Sequence, residues 1–179
     1  MVKAVFLDRD GVINANLERN GKQVAPTNLA EFRIFPGVGE AARRLKDAGF
    51  LLVIVTNQPD VANGITPRAT MEAMHDQIRG QMPIDDIMIC FHVDADQCAC
   101  RKPKPGLLLD AAARYGIDLH ASYIVGDRWR DILAGQAAGC RTILVDHHGI
   151  AQERPSTPDH TVTSLSEAAT FILQRKAAL

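Results

Sequence analysis

At 179 residues, 46% of them apolar, and with a formal net charge of −1, the chain has the size and composition of one globular domain with a full core. That balance offers no basic face for nucleic acid and no polybasic patch for a membrane surface. No apolar run approaches the roughly 18–20 residues of a spanning helix, and the N-terminus enters an apolar strand at once, which fits no signal peptide.

Val2 to Leu7 reads as a buried strand ended by Asp8. Asn14 to Phe35 is polar and irregular, with Asn20-Gly21 as a turn signal. Pro36-Gly37 opens a helix whose apolar positions include Val38, Ala41, Ala42 and Leu45, and Gly49 stops it. Phe50 to Val55 is a continuous apolar strand ending at Thr56. Thr66-Pro67 starts a helix over Arg68–Gln81. Ile87 to Cys90 is a short strand leading into a cysteine-rich loop, and Gly106 to Tyr115 is a helix ended by Gly116. A strand over Tyr123–Val125 ends at Gly126-Asp127, a helix over Trp129–Ala138 is stopped by Gly139, and Arg141–Val145 is a further strand. Ala151 to His160 reads as a surface loop, and Leu165 to Lys176 closes the chain as a helix capped by Ser164 or Ser166.

Strands alternate with helices, and the strands are apolar throughout rather than at every second position. That pattern predicts an α/β fold: one doubly wound, Rossmann-like, three-layer domain over residues 1–179 with a central parallel sheet. Such sheets bind ligands at the carboxyl ends of their strands. Asp8, Thr56, the cysteine loop and Asp127 all follow strands, so the topology should gather them at one edge.

Asp8 and Asp10 flank Arg9 at a strand end, and residues i and i+2 of extended backbone point to the same side. Two carboxylates that close repel unless a cation or proton lies between them. Magnesium suits the position, being hard and oxygen-seeking. Asp127 arrives from another strand end as a further carboxylate, and Asp131, one helical turn on, is placed to brace it. Cys90, His92, Cys98 and Cys100 lie within eleven residues and form a complete tetrahedral zinc set with no open position, which marks a structural site. Zinc there would pin the loop carrying Arg101 and Lys102, a stabilisation on the order of 10 kcal/mol. The expected compartment is the reducing cytoplasm, where close thiols bind metal rather than pair. Cys140 reads as a buried small hydrophobe. Arg101 suits bidentate contact with a second phosphate or with the polar end of a bound molecule, and Arg128 is near enough to the acidic site to touch that molecule. His147-His148, His75, His120 and His160 read as solvated, and Trp129 as packing.

Asp8-Arg9-Asp10-Gly11-Val12, Thr56-Asn57-Gln58, Arg101-Lys102-Pro103 and Gly126-Asp127-x-x-x-Asp131 resemble, in order and spacing, the four motifs of the haloacid dehalogenase superfamily of phosphatases over residues 2 to about 147. The Cys-x-His and Cys-x-Cys-Arg-Lys-Pro elements resemble the zinc-containing subgroup that includes the heptose 1,7-bisphosphate and histidinol-phosphate phosphatases. The resemblance implies an aspartyl-phosphate mechanism. Asp8 would attack phosphorus; Asp10 would protonate the leaving alcohol and then activate water, holding a proton near neutral pH. Thr56 and Asn57 would bind phosphoryl oxygens, and Lys102, rather than its neighbour Lys104, would neutralise charge. Asp8, Asp127 and the backbone carbonyl of Asp10 would hold magnesium. The intervals Asp8–Thr56 and Thr56–Lys102 are filled by one helix, a strand and loops, which leaves no room for a cap domain. A monomer acting on a small phosphorylated metabolite is implied, with heptose 1,7-bisphosphate favoured over histidinol phosphate or another small sugar phosphate because the chain stands alone. The segment Gln58-Pro59-Asp60-Val61-Ala62-Asn63-Gly64 departs from the subgroup's usual Gln-Ser-Gly-x-Ala-Arg-Gly, and the first loop lacks Tyr-Val-His. Two other readings are a phospho-acceptor signalling domain, in which the acceptor normally follows a middle strand, and a zinc-stabilised binding module without catalysis.

Overall fold

The computed structural model describes residues 2–147 and 157–177. Its elements run in the order β1 (Lys3–Leu7), β2 (Leu17–Arg19), β3 (Lys22–Val24), α1 (Val38–Asp47), β4 (Phe50–Asn57), α2 (Pro59–Ala62), α3 (Arg68–Gln81), β5 (Asp86–Cys90), α4 (Gly106–Tyr115), β6 (Tyr123–Gly126), α5 (Trp129–Ala138), β7 (Arg141–Val145), β8 (His160–Val162) and α6 (Leu165–Ala177). Six strands form one sheet in the order β5-β4-β1-β6-β7-β8, every neighbouring pair parallel.

The apolar strands explain this arrangement. Along β1, Val5 and Leu7 enter one core with Leu52 and Ile54 of β4, while Ala4 and Phe6 enter a second with Val53 and Val55. The first core is closed by α1, α3 and α6 and the second by α4 and α5. Both faces of the sheet are therefore covered, as a parallel sheet requires. In α1 the buried residues Val38, Ala41, Ala42 and Leu45 recur at the spacing of one helix face.

The strand order positions the site. From β1 the chain steps outward through β4 to β5, then returns to the other side of β1 with β6. The crevice between β1 and β6 is thus the point where the winding reverses, the usual ligand position in such sheets. Leu7 pairs with Val125, and the Asp8 amide donates to the Val125 carbonyl at 2.9 Å, which brings Asp8 beside the Gly126-Asp127 turn.

The sequence expectations hold for the sheet and its helices and need three corrections. The polar segment Asn14 to Phe35 contains an antiparallel hairpin, β2–β3, turning at Asn20-Gly21. Pro59 starts a short helix between β4 and α3, in a stretch to which the sequence assigns no element. The segment read as a surface loop up to His160 ends in an edge strand, β8, paired with β7; its residues 151–156, like His148, lie outside the described residues. Ser164 is the cap of α6, its hydroxyl accepting from the Glu167 amide at 3.2 Å. Among the described residues no helix is long and apolar enough to cross a membrane.

Candidate active site and zinc centre

The first turn after β1 is wound tightly on itself. The Arg9 carbonyl accepts from the amides of Ile13 and Asn14 at 2.8 and 3.1 Å, and the Gly11 amide donates to the Asn14 carbonyl at 2.7 Å. Gly11 has φ +85°, and a side chain there would run into the Asp127 carboxylate and Asn16. At Gly126 a β-carbon would run into the Asp131 side chain. The two glycines let the ends of β1 and β6 close on each other.

Asp8, Asp127 and Asp131 come together so that one oxygen of each lies within 4.8 Å of the others. Asp131 is already committed. Its Oδ1 accepts from Lys102 Nζ at 2.5 Å and its Oδ2 from the Arg128 amide at 3.1 Å. Lys102 is 2% exposed and is fully engaged, reaching the Val55 carbonyl at 2.7 Å, Asp131, and Asp8 Oδ1 at 2.9 Å. Burial opposes its charge, but Asp131 and Asp8 outweigh burial and raise the ammonium's pKa above the usual value. Lys104 instead donates to the Gln97 carbonyl on the exterior. Asp127 Oδ2 accepts from Asn16 Nδ2 at 2.9 Å, while its Oδ1 is buried without a partner.

This charge pattern is short of a cation. Burial first, and Asp131 second, push Asp8 up to about 6 despite Lys102. Burial and the Asp8 and Asp131 charges raise Asp127 well above the carboxylate range. The orphaned Asp127 oxygen and the pair of facing carboxylates fit a hard divalent ion such as magnesium.

Asp10 differs from expectation. Burial works to raise its pKa, but the Arg9 charge and donors from Asn14, Arg9 and Gln58 hold it below the usual carboxylate value. Arg9 grips it through Nε at 3.2 Å and Nη2 at 2.9 Å; Gln58 Nε2 donates at 2.7 Å and Asn14 Nδ2 at 2.9 Å. The carboxylate expected to hold a proton near neutral pH is thus held as an anion. One of its oxygens would need to come free of these donors to carry that proton, the other staying with Arg9.

Thr56, fully buried at the end of β4, accepts from Gln58 Nε2 at 2.8 Å, so its own hydroxyl proton can be donated into the cavity. Asn57 differs from expectation. Its amide forms a reciprocal pair with the Lys102 backbone, both bonds 3.1 Å, and so braces the lysine instead of presenting itself to a phosphate. These groups line a cavity of about 340 Å³, together with Gln23 and Val24 of the hairpin, Asp60, and the three arginines Arg101, Arg128 and Arg130.

The cysteine loop gathers all four expected ligands. Sγ–Sγ distances are 3.1 Å (Cys90–Cys100), 3.5 Å (Cys98–Cys100) and 3.7 Å (Cys90–Cys98). His92 Nδ1 lies 3.6 Å from Cys90 and 3.4 Å from Cys100. A tetrahedron with metal–sulfur arms of about 2.3 Å has edges of about 3.8 Å, so the cluster closely fits zinc. Burial and the neighbouring sulfurs of Cys90 and Cys98 push the Cys100 thiol up to about 12, as expected where thiols gather to share one cation. All four cysteines are free, and Cys140, buried apart from the cluster, is the small hydrophobe expected.

Arg101 donates from Nε to Asp94 at 2.8 Å and from Nη1 to the carbonyl of the zinc-set residue His92 at 3.0 Å. Arg130 on α5 grips the same Asp94 through two bonds of 2.8 and 3.1 Å. Arg128 reaches the Gln23 carbonyl of the hairpin at 3.1 Å. Trp129 is half-buried under the Arg130 guanidinium, 5.0 Å from its ring centre, which agrees with a packing role. His147 donates to the Gly11 carbonyl at 2.7 Å. His160 stacks on Phe171. His75, expected in solvent, is instead 3% exposed and faces Arg9.

A family model described as HAD-hydrolase-like matches residues 99–168. D-glycero-beta-D-manno-heptose-1,7-bisphosphate 7-phosphatase of Bordetella bronchiseptica is 39% identical over 149 residues, covering 80% of each chain. The protein of the same name from Escherichia coli K12 is 34% identical over 180 residues, 93% of this chain and 91% of its own. The crystal structure of D,D-heptose 1,7-bisphosphate phosphatase from B. bronchiseptica, complexed with magnesium and phosphate, superposes with a TM-score of 0.80 at 33% identity, over 97% of this chain and 99% of that one. The chain belongs to the haloacid dehalogenase-like hydrolases. Within that class its similarity runs to the heptose bisphosphate phosphatases along nearly its whole length.

Proposed function

We propose that this chain is a magnesium-dependent phosphomonoester hydrolase that removes the 7-phosphate of D-glycero-D-manno-heptose 1,7-bisphosphate through a phosphorylated Asp8. The observation that carries this reading is the Lys102 ammonium, 2.9 Å from Asp8 and buried beside two further carboxylates at the sheet's switch point. The relatives named above, which match most of the chain, are named as phosphatases of that substrate and support the reading.

Asp8 Oδ forms a bond to phosphorus as the phosphorus–alcohol bond breaks. Asp10, with one oxygen released and protonated and the other still held by Arg9, gives that proton to the leaving oxygen. It then takes a proton from the water that attacks the phosphoryl-aspartate, which restores Asp8 and releases phosphate. Thr56 donates to a phosphoryl oxygen, and Lys102 tempers the charge that spreads over the transferring group. Asp8, Asp127 and the Asp10 carbonyl would hold magnesium, whose chemistry is to offset the negative charge of phosphate and carboxylates together. Zinc on Cys90, His92, Cys98 and Cys100 would be structural. The reduced cysteines suit a cytoplasmic setting.

The rim of Arg101, Arg128 and Arg130 favours a bisphosphate over histidinol phosphate. The second substrate carries an ammonium group, which three guanidinium ions would repel, whereas a second phosphate is attracted to them. Comparing phosphate release from the two compounds tests this. Faster hydrolysis of the heptose bisphosphate is expected; equal or reversed rates would overturn the substrate assignment and leave the phosphatase chemistry standing.

A further inference from the structure

We propose that His75 is a positioning residue for the phosphatase reaction: its ring nitrogen, acting through the Arg9 guanidinium, sets where the Asp10 carboxylate is held. The inference rests on the reading of Asp10 as the proton-transfer group.

Arg9 is 1% exposed and is among the largest fully buried side chains of the protein. A buried guanidinium is costly unless its donors are matched. Nε and Nη2 go to Asp10, Nη2 also donates to Gln58 Oε1 at 2.9 Å, and Nη1 lies 3.3 Å from His75 Nε2. Arginine has donors and no acceptor, so this contact requires the lone pair of Nε2. The imidazole is therefore neutral, with its proton on Nδ1. Burial, then the charges of Arg9 and Arg79, push its pKa down to about 4, while Asp10 and Asp76 pull the other way with less effect.

The position of the ring is set by packing. His75 lies on the buried face of α3 with Met71, Met74 and Ile78. A long arginine side chain rooted in a turn has many rotamers; held at its far end by a ring embedded in a helix face, it has few. Asp10 receives most of its hydrogen bonds from Arg9 and from Gln58, which Arg9 also holds. The chain of contacts from α3 to Asp10 is His75, Arg9, Asp10, with no gap.

The test compares three variants of the magnesium-loaded enzyme on two substrates. His75→Gln keeps an acceptor at the reach of Nε2; His75→Asn is polar but too short; His75→Leu keeps bulk and loses the acceptor. The substrates are heptose 1,7-bisphosphate, whose alkoxide needs a proton, and dinitrophenyl phosphate, whose leaving group does not. In single-turnover experiments that read leaving-group release alone, and so exclude the later Asp10-assisted hydrolysis of phosphoryl-Asp8, the Asn and Leu variants should lose about ten-fold to a hundred-fold on the bisphosphate and much less on the aryl ester. The Gln variant should recover most of the loss. Thermal melts of each variant establish that it is folded at the assay temperature. An undiminished release rate in the Asn variant, equal losses of that rate on both substrates, or a Gln variant as poor as Asn would each overturn the proposal. Asp10→Asn, run alongside, should show the same leaving-group dependence more strongly. If it does not, the reading of Asp10 fails and His75's role falls with it.

Discussion

Lys102 and Asp131 form a buried ion pair at 2.5 Å, with side chains 3% and 2% exposed, and this pair holds the ammonium against Asp8. An ion pair so deep is strongly destabilising to break from one side, because a charge is left without its partner. Asp131→Ala should therefore lower folding stability by about 3–5 kcal/mol, measured by denaturant unfolding, and should depress kcat as well. Asp131→Asn, which keeps the shape and the acceptor for Lys102, should lose less stability. A melting curve for Asp131→Ala that matches wild type would show that Lys102 is held by other means.

Gly11 sits at φ +85° with no space for a β-carbon beside Asp127. Gly11→Ala should push Asp127 off the crevice and weaken magnesium binding more than it weakens the fold. Isothermal titration with magnesium alone reads the first effect, and a thermal melt reads the second. A fall in magnesium affinity of about ten-fold or more is expected. Unchanged affinity would remove Asp127 from the metal site.

Asp94 is the shared anchor of Arg101 and Arg130 at the mouth of the cavity. Hydrogen bonds to charged groups contribute about 1.5–3 kcal/mol. Asp94→Asn should therefore raise KM for the heptose bisphosphate about ten-fold, with kcat on a small aryl phosphate nearly unchanged, because only the larger substrate reaches the arginine rim. Steady-state kinetics on the two substrates settles the point, and a parallel loss on both would place Asp94 outside substrate recognition.

The zinc set predicts about one zinc per chain by elemental analysis, falling towards zero in Cys98→Ser. The same variant should lose the ordering of Arg101, whose guanidinium is tied to the His92 carbonyl, and should show raised KM for the bisphosphate. Full zinc content in Cys98→Ser would mean that the remaining ligands suffice.

His75 gives the protein a pH signature in stability. Its folded pKa, about 4, lies below the ordinary 6.5 of a free imidazole, so the unfolded chain takes up the proton first. The stability it supports is whole above about pH 6.5 and declines as pH falls towards about 4. Denaturant midpoints across that window should fall more steeply in wild type than in His75→Gln. Parallel slopes would mean that His75 is already protonated in the fold.

The sheet, its helices and the convergence of Asp8, Thr56, Lys102 and Asp127 were legible in the amino-acid sequence because each depends on local pattern: apolar runs, stop glycines, and acidic or basic residues just past strand ends. The hairpin was not, although its Asn20-Gly21 turn was visible. Strands of three residues with mostly polar side chains carry no alternation to read. The role of Arg9 stayed hidden between two conspicuous aspartates, since a buried cation announces itself only through its partners, and His75 lies 66 positions away. Arg130 carried no signal of its own in the sequence, because its partner Asp94 comes from a distant loop. The phosphate role of Asn57 came from the family resemblance; its commitment to the Lys102 backbone depends on a loop 45 residues on.

Asp8 is the residue proposed to take the phosphoryl group. Acid-quenched turnover of heptose 1,7-bisphosphate with magnesium, followed by peptide mass analysis, should find one phosphoryl group on the peptide containing Asp8, and Asp8→Asn should release no phosphate while remaining folded. Phosphate release at the wild-type rate from Asp8→Asn, with no adduct on that peptide, would contradict it.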